Sequence, residues 1–264
     1  MMPASEEYLM YNLLYNKRVY LGVRRNVFWY NIDIDMDSWI TFLFACSVWF
    51  LFHIAIRKLK KSLAYSLAIA AILGIWFFLV FFLGKTRFFA INPLVAANIG
   101  LGFLVLFIFL QKAYTSNAIR KIADAIPQEL LIGVQAYRVV GINFLRLYTA
   151  GVLPAVFAFS AGYGDIFVGV SALFVAYFYF KKKTFARKLA IIWNYIGILD
   201  LVVAIGIGIL GFPRPIQTLP LTPSTEALSL HPLALIPLFA VPLALMLHLF
   251  SLRTLMNTQR SNAV

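Results

Sequence analysis

"LAYSLAIAAILGIWFFLVFFL", residues 63–83, runs for 21 positions without a charged side chain. At about 1.5 Å of rise per residue, a helix of that length crosses the roughly 30 Å hydrocarbon core of a bilayer. The stretch lacks the alternation of a barrel strand. In lipid its backbone N–H and C=O groups must be satisfied within the segment, so it reads as a helix. Six more stretches behave in the same way, giving predicted spans over 38–56, 63–83, 93–111, 127–147, 163–180, 188–210 and 233–252. Only 12% of the residues are charged, about half the quarter usual in soluble domains, which is too few to clothe a water-facing surface. The expected fold is all-α: an integral membrane bundle of about seven transmembrane helices built from residues 38–253, with a segment 1–37 before it and a tail 254–264 after it.

The net charge is +13, from 23 Lys and Arg against 10 Asp and Glu. These cations fall in short clusters between apolar runs, the pattern of the positive-inside rule and not of a nucleic-acid surface. The loops after the first, third and fifth spans, with the tail, hold 14 of the 23, among them Arg57, Lys58, Lys60 and Lys61, then Arg120 and Lys121, then Lys181, Lys182, Lys183, Arg187 and Lys188. The N-terminus is therefore expected outside and the C-terminus in the cytoplasm, with the basic loops against anionic lipid head groups. Cys46 is the single cysteine, so neither an internal disulfide nor a cysteine-based zinc site can form. Residues 1–37 lack the apolar core of a cleavable signal peptide.

Two flanking pieces stand out. Residues 5–30 include Tyr8, Tyr11, Tyr15, Tyr20 and Tyr30, a composition suited to lying along the outer head-group region, with a partner-binding arm as the alternative. "NIDIDMD" comes next with Asp33, Asp35 and Asp37, but it has neither the glycine nor the distal glutamate of a calcium loop. "TAGVLPAVFAFSAGYGD", residues 149–165, is too apolar for a solvated loop. Broken by Gly151, Pro154, Gly162 and Gly164, it predicts a re-entrant or cavity-lining segment on the outer side.

Arg138 lies in the middle of the fourth span. An arginine at that depth costs about 2.5–3.5 kcal/mol on insertion scales, so it is expected to face the bundle interior. Gln135 sits three residues before it and Gly141 three after, leaving room for a neighbouring helix. Asp200, on the small-residue stripe Trp193, Gly197, Asp200, Ala204, Gly208, is the expected partner; Asn194 lies on the same helix, and Asp165 opens the fifth span nearer the outer surface. Arg138, Asp200, Asp165, Gln135 and Asn194 are thus the candidate ligand-binding residues. His53 and His248 form a rival set: each lies about fifteen residues from the outer end of its span, where two facing imidazoles could hold a haem or a metal ion. No cofactor is otherwise expected. The last span has no lysine for a retinal Schiff base, and no phosphate loop, H-E-x-x-H or G-x-S-x-G occurs. Pro232, Pro237 and Pro242 predict a bent final helix.

"IPQELLIGVQAYRVVGINF", "LPAVFAFSAGYGDIFVG", "WNYIGILDLVVA" and "PLALMLHLFSLR" together resemble a family of small bacterial integral-membrane proteins without an assigned function. The resemblance covers residues 126–253 and rests on Gln135, Arg138, Gly164, Asp165, Asn194, Asp200 and His248. It implies a bacterial inner membrane and no particular reaction.

Three functional classes are compatible with these residues. In the first, the polar residues of spans four to seven bind, sense or transport a small molecule, with Arg138 holding an anionic or carbonyl group, Asp200 its counter-ion and Asp165 at the entrance. In the second, Asp165, Asp200 or the two histidines serve an intramembrane enzyme or redox centre. In the third, the chain is a structural or assembly factor with no ligand, whose Tyr-rich arm and basic cytoplasmic loops bind partners while Arg138–Asp200 only locks two helices. The orientation is directly testable in a Cys46→Ala background. A membrane-impermeant maleimide should label Lys85→Cys in intact cells and Lys183→Cys only after the membrane is opened; the reverse pattern would invert the topology.

Overall fold

The computed structural model describes residues 38–86, 88–89, 104, 107–108, 111–112, 114–213 and 218–261. The tyrosine-rich segment, the acidic run at Asp33–Asp37 and nearly all of the stretch 93–111 lie outside these residues. Among the described residues all regular structure is helical, and six helices are long and apolar enough to cross a membrane. They are α1 (Ser38–Lys58), α2 (Leu63–Lys85), α4 (Gln128–Thr149), α5 (Ala155–Phe180), α6 (Ala186–Leu210) and α7 (Ile236–Ser261). The short α3 (Asn117–Ala125) precedes α4 and buries Ile122, Ala123 and Ala125.

α7 is the axis of the bundle. Its most apolar stretch is 72% buried, against 17–39% for the other five spans, and it touches a different neighbour along each part of its length. α1, α2 and α3 cover one side through Phe44, Val48, Phe52, Phe77 and Ile122, packed on Leu235, Leu238, Leu243, Leu247 and Phe250. α4 runs antiparallel along another side in a register that two amides set: Gln128 Nε2 donates to Ser251 Oγ, and seven residues on, Gln135 Nε2 donates 3.0 Å to the Ala244 carbonyl.

α7 bends, as its prolines predict, and the cause is a ladder fault. Ile236–Ala240 winds as a π-turn before regular helix resumes at Val241. Pro242 has no N–H to offer the Leu238 carbonyl, four residues back. The indole of Trp76 on α2 donates to that carbonyl at 2.8 Å, and Phe77 packs edge-on against Phe239 at 5.5 Å. α2 therefore closes the gap that the proline opens.

α4 changes its winding in mid-span. Gln128–Gly133 and Ile142–Thr149 are α-helical, whereas Val134–Gly141 is a 3-10 helix, long for a form that seldom exceeds four residues. The buried positions explain the choice: Ile132, Gln135, Arg138, Gly141 and Phe144 are all buried, at intervals of three. Three residues per turn stack such positions on one face; at 3.6 per turn they would drift around the helix.

Of the two readings of 149–165, re-entrant or cavity-lining, the second holds for Phe157, Ala161 and Asp165, which line a cavity. The first does not, since the chain is an ordinary helix from Ala155 onward. Pro154 serves as its N-cap rather than as a break. Gly162 and Gly164 are there for packing: a Cβ on Gly162 would lie 2.9 Å from Leu145 Cδ2 and 3.1 Å from the Gly141 carbonyl oxygen. Asp165 is accordingly ten residues inside α5, not at its mouth.

Trp76→Phe keeps the apolar contact and strips the Leu238 carbonyl of its donor, and should cost about 1–3 kcal/mol of unfolding free energy in mild detergent. In a Pro242→Ala background, which restores a backbone N–H to that carbonyl, the same change should cost clearly less. Equal costs in the two backgrounds would show that the indole does not serve the proline gap.

Candidate ion cluster at mid-bilayer

Three charged side chains from three helices converge at one depth. Asp165 lies ten residues from the Ala155 end of α5, Asp200 ten residues from the Leu210 end of α6, and Arg138 eleven from the Thr149 end of α4. Each distance is about 15 Å of helix, half the thickness of the hydrocarbon core. Arg138 is 1% exposed and its guanidinium is nearly saturated. Nε donates to Asp165 Oδ1 at 2.6 Å, Nη2 to Asp200 Oδ2, and Nη1 to the Gly197 carbonyl at 3.3 Å and to His248 Nε2 at 3.3 Å. The ion pair with Asp200 expected from the sequence is present, but it is half of a pairing with two carboxylates.

Glycines make this convergence possible. A Cβ on Gly164 would collide with the Asp200 carboxylate, one on Gly197 with the His248 ring, and one on Gly141 with the Asp165 side chain. A Cβ on Gly169 would lie 2.6 Å from the Val139 backbone nitrogen, so α4 and α5 touch main chain to main chain. Small residues allow such approach between membrane helices. Here they also bring the charges within reach of each other.

Below the cluster runs a directional chain of hydrogen bonds. Asn194 Nδ2 donates 2.8 Å to the Ala190 carbonyl and 2.8 Å to Ser251 Oγ, leaving its Oδ1 to accept from His248 Nδ1 at 2.9 Å. His248 then carries its hydrogen on Nδ1 and accepts from Arg138 at Nε2. Gln128 donates to the same Ser251 oxygen from the other side. Donation therefore runs from Arg138 through His248 and Asn194 to Ser251. Such a chain polarises in one sense and fixes the guanidinium in place.

Of the candidates named from the sequence, the structure joins Arg138, Asp165, Asp200 and Asn194 in this one network. Gln135 lies on the same face of α4 and bonds α7 instead. His248 belongs to the network, with both ring nitrogens engaged. His53 does not: its Nδ1 lies 2.9 Å from Ser66 Oγ on α2, beside Trp49, so the two histidines share no partner. Sequence reasoning misses Gln128 and Ser251. The spacing His248–Ser251 puts both on one face of α7 one turn apart, a signal that the sequence does carry.

Hydrogen-bonding capacity is unevenly spent. Arg138 has at most one N–H uncommitted. Among the described residues Asp165 Oδ2 and Asp200 Oδ1 have no donor, nor has the buried Gln135 Oε1. With both carboxylates ionised, the pair outweighs the guanidinium by one negative charge. Asp165 also forms part of the wall of a cavity of about 610 Å³ that lies toward the Ala155 and Leu210 ends of α5 and α6. The other described residues of its lining are apolar, with Phe144, Phe157, Leu201, Phe212 and Val241 among them.

Arg138→Ala should strand two carboxylates and lower the unfolding free energy by about 3–5 kcal/mol. Arg138→Lys should not rescue it, since one ammonium cannot span the positions that the planar fork reaches. The triple change Arg138→Leu, Asp165→Asn, Asp200→Asn removes the charges together and should recover most of the loss. A triple variant as unstable as Arg138→Ala would show that stranded charge was not the cause.

The profile of the domain of unknown function DUF8737 matches residues 94–256, which contain every member of the cluster. No curated protein and no solved structure matches the chain.

Proposed function

We propose that this chain, a member of the DUF8737 family, binds a small molecule within the membrane, in the cavity that ends on Asp165, and acts as a receptor or carrier for it. The observation that carries the reading is the meeting of an apolar cavity of about 610 Å³ with a charged cluster at one carboxylate. Pockets of this size, mostly apolar with few convergent polar groups, suit small-molecule ligands.

The competing readings fit less well. A lock between helices needs one carboxylate for one guanidinium, and a buried ion pair gives little net stability even then. Here there are two carboxylates, two of whose oxygens have no donor among the described residues. A haem or metal centre on the histidines needs a free ring nitrogen on His248, and both are engaged. An enzyme needs a nucleophile beside a base. In the cluster the carboxylates, the candidate bases, are each paired with Arg138, and no hydroxyl or thiol nucleophile is hydrogen-bonded to either among the described residues.

An inner-membrane location in a bacterium, with a cytoplasmic C-terminus, accords with this role through the family likeness and the clustering of cations after Lys58 and Phe180. Native mass spectrometry of the protein released from mild detergent tests the proposal. The wild-type chain should retain a non-lipid organic adduct that is reduced at least tenfold in Asp165→Asn and in the cavity-filling Ala204→Phe. A bare wild-type chain, or an adduct indifferent to both changes, would leave the cluster as a helix lock.

A further inference from the structure

We infer that, if the cavity is a ligand site as proposed above, its ligand is a lipid-soluble organic cation: a protonated or quaternary amine, or a comparable onium group, carrying apolar substituents. The sequence alone points the other way, to an anionic or carbonyl group held by Arg138, and the reversal comes from where the guanidinium's donors are spent. One goes to each carboxylate and two to Gly197 and His248. An anion would have to displace a carboxylate that is itself fixed to a packed helix. A cation displaces nothing, since Asp165 is 18% exposed and one of its oxygens has no donor among the described residues.

The wall chemistry agrees. Phe144 and Phe157 meet edge to face at 5.3 Å, and with Phe212 they line the cavity that leads to the carboxylate. Aromatic faces attract cations through their quadrupole, an effect that grows when water is excluded, and such rings beside an acidic group form a site for onium ions. An anion placed among the same rings would meet no side-chain hydrogen-bond donor among the described residues of the lining.

The access route sets the second half of the class. At the Leu210 end the loop from Thr218 to Leu230 lies across the bundle, pinned by Thr225 Oγ1 to the Gly208 carbonyl at 2.7 Å and by the Thr225 and Leu219 amides to the Gly211 and Leu210 carbonyls at 3.1 and 2.9 Å. Leu228 from this loop is itself part of the lining. On the flank, Ile209 of the same lining, one residue inside the Leu210 end of the spanning helix α6, is 47% exposed. The ligand thus arrives through the hydrocarbon, which requires apolar bulk around its charge.

A matched pair of probes separates sign from size: tetraphenylphosphonium and tetraphenylborate have nearly the same shape and opposite charge. With the full chain in nanodiscs of neutral lipid, tetraphenylphosphonium should raise the unfolding temperature saturably, while tetraphenylborate and the hydrophilic tetramethylammonium should not. Asp165→Asn should weaken the effect at least tenfold in half-saturating concentration. Ala204→Phe, which leaves the charges untouched, should also abolish it, guarding against a variant that merely misfolds. Stabilisation by tetraphenylborate equal to or greater than that by the cation would overturn the inference and leave the ligand site standing. So would a native adduct sensitive to Asp165→Asn that is not cationic. No response to either probe, together with no native adduct, would overturn both.

Discussion

Arg138 cannot shed its charge, and the rest of this bundle is arranged around that fact. A buried carboxylic acid or lysine can neutralise itself by exchanging a proton; a guanidinium cannot. At mid-bilayer the protein must supply what water would have supplied, namely acceptors in the plane of the fork. It does so from three helices: carboxylates from α5 and α6, a main-chain carbonyl from α6 and an imidazole nitrogen from α7. Each acceptor demands a helix at a fixed distance and rotation. Those demands account for the glycines at 141, 164 and 197, where a methyl group would occupy the place of an acceptor or its neighbour. They also account for the 3-10 winding of α4, which keeps Gln135, Arg138 and Gly141 on one line.

Much of this is legible in the sequence, and the remainder is hidden for physical causes. Six helices long and apolar enough to span are readable because the hydrocarbon imposes a length and forbids unpaired backbone. Arg138 and Asp200 pair on the expectation that a lone charge in lipid seeks an opposite one. Asp165 is misplaced when Gly162 and Gly164 are read as chain breakers. In water that reading is sound, since glycine frees the backbone. In a membrane the helix is held by its own hydrogen bonds, and glycine instead lets another helix come close. The same two glycines thus hide both the length of α5 and the depth at which Asp165, already a candidate, meets Arg138. The cavity leaves a partial mark: 149–165, read as too apolar for a solvated loop, supplies Phe157, Ala161 and Asp165 to its wall, whereas Phe144 and Leu201 are residues that any buried helix face would carry.

The tasks of holding the fold and building the site are divided along the chain. α1 and α2 pack their aromatic and branched side chains on α7, and Phe44 of α1 also stacks over Tyr137 of α4 with ring centroids 3.5 Å apart. They offer nothing to Arg138. The cluster draws on α4 to α7, and the cavity adds Leu104, Phe107, Phe212 and Leu228 to residues of those helices, all within the stretch 94–256 matched to the family. Such a division is what the energetics require. Desolvating three charges can cost more than their mutual attraction returns, so a site of this kind needs stability from packing elsewhere. α7 connects the two tasks, since Leu238 and Leu247 are buried in the apolar cluster while His248 holds the guanidinium.

This connection gives the π-turn of α7 a role that a packing accident would not have. Ile236 and Val241, at either end of the wide turn, line the cavity, and Trp76 of α2 holds the Leu238 carbonyl between them. A regular helix with its ladder complete would draw that segment tighter and rotate the remainder of α7, including His248 one turn or two beyond. The proline at 242 keeps the ladder open, and the indole stabilises the open form from outside the family's stretch. Cavity shape and guanidinium geometry are therefore set by the same fault in one helix: any molecule that fills the cavity beside Asp165 bears on the side of α7 whose other face the apolar core fixes.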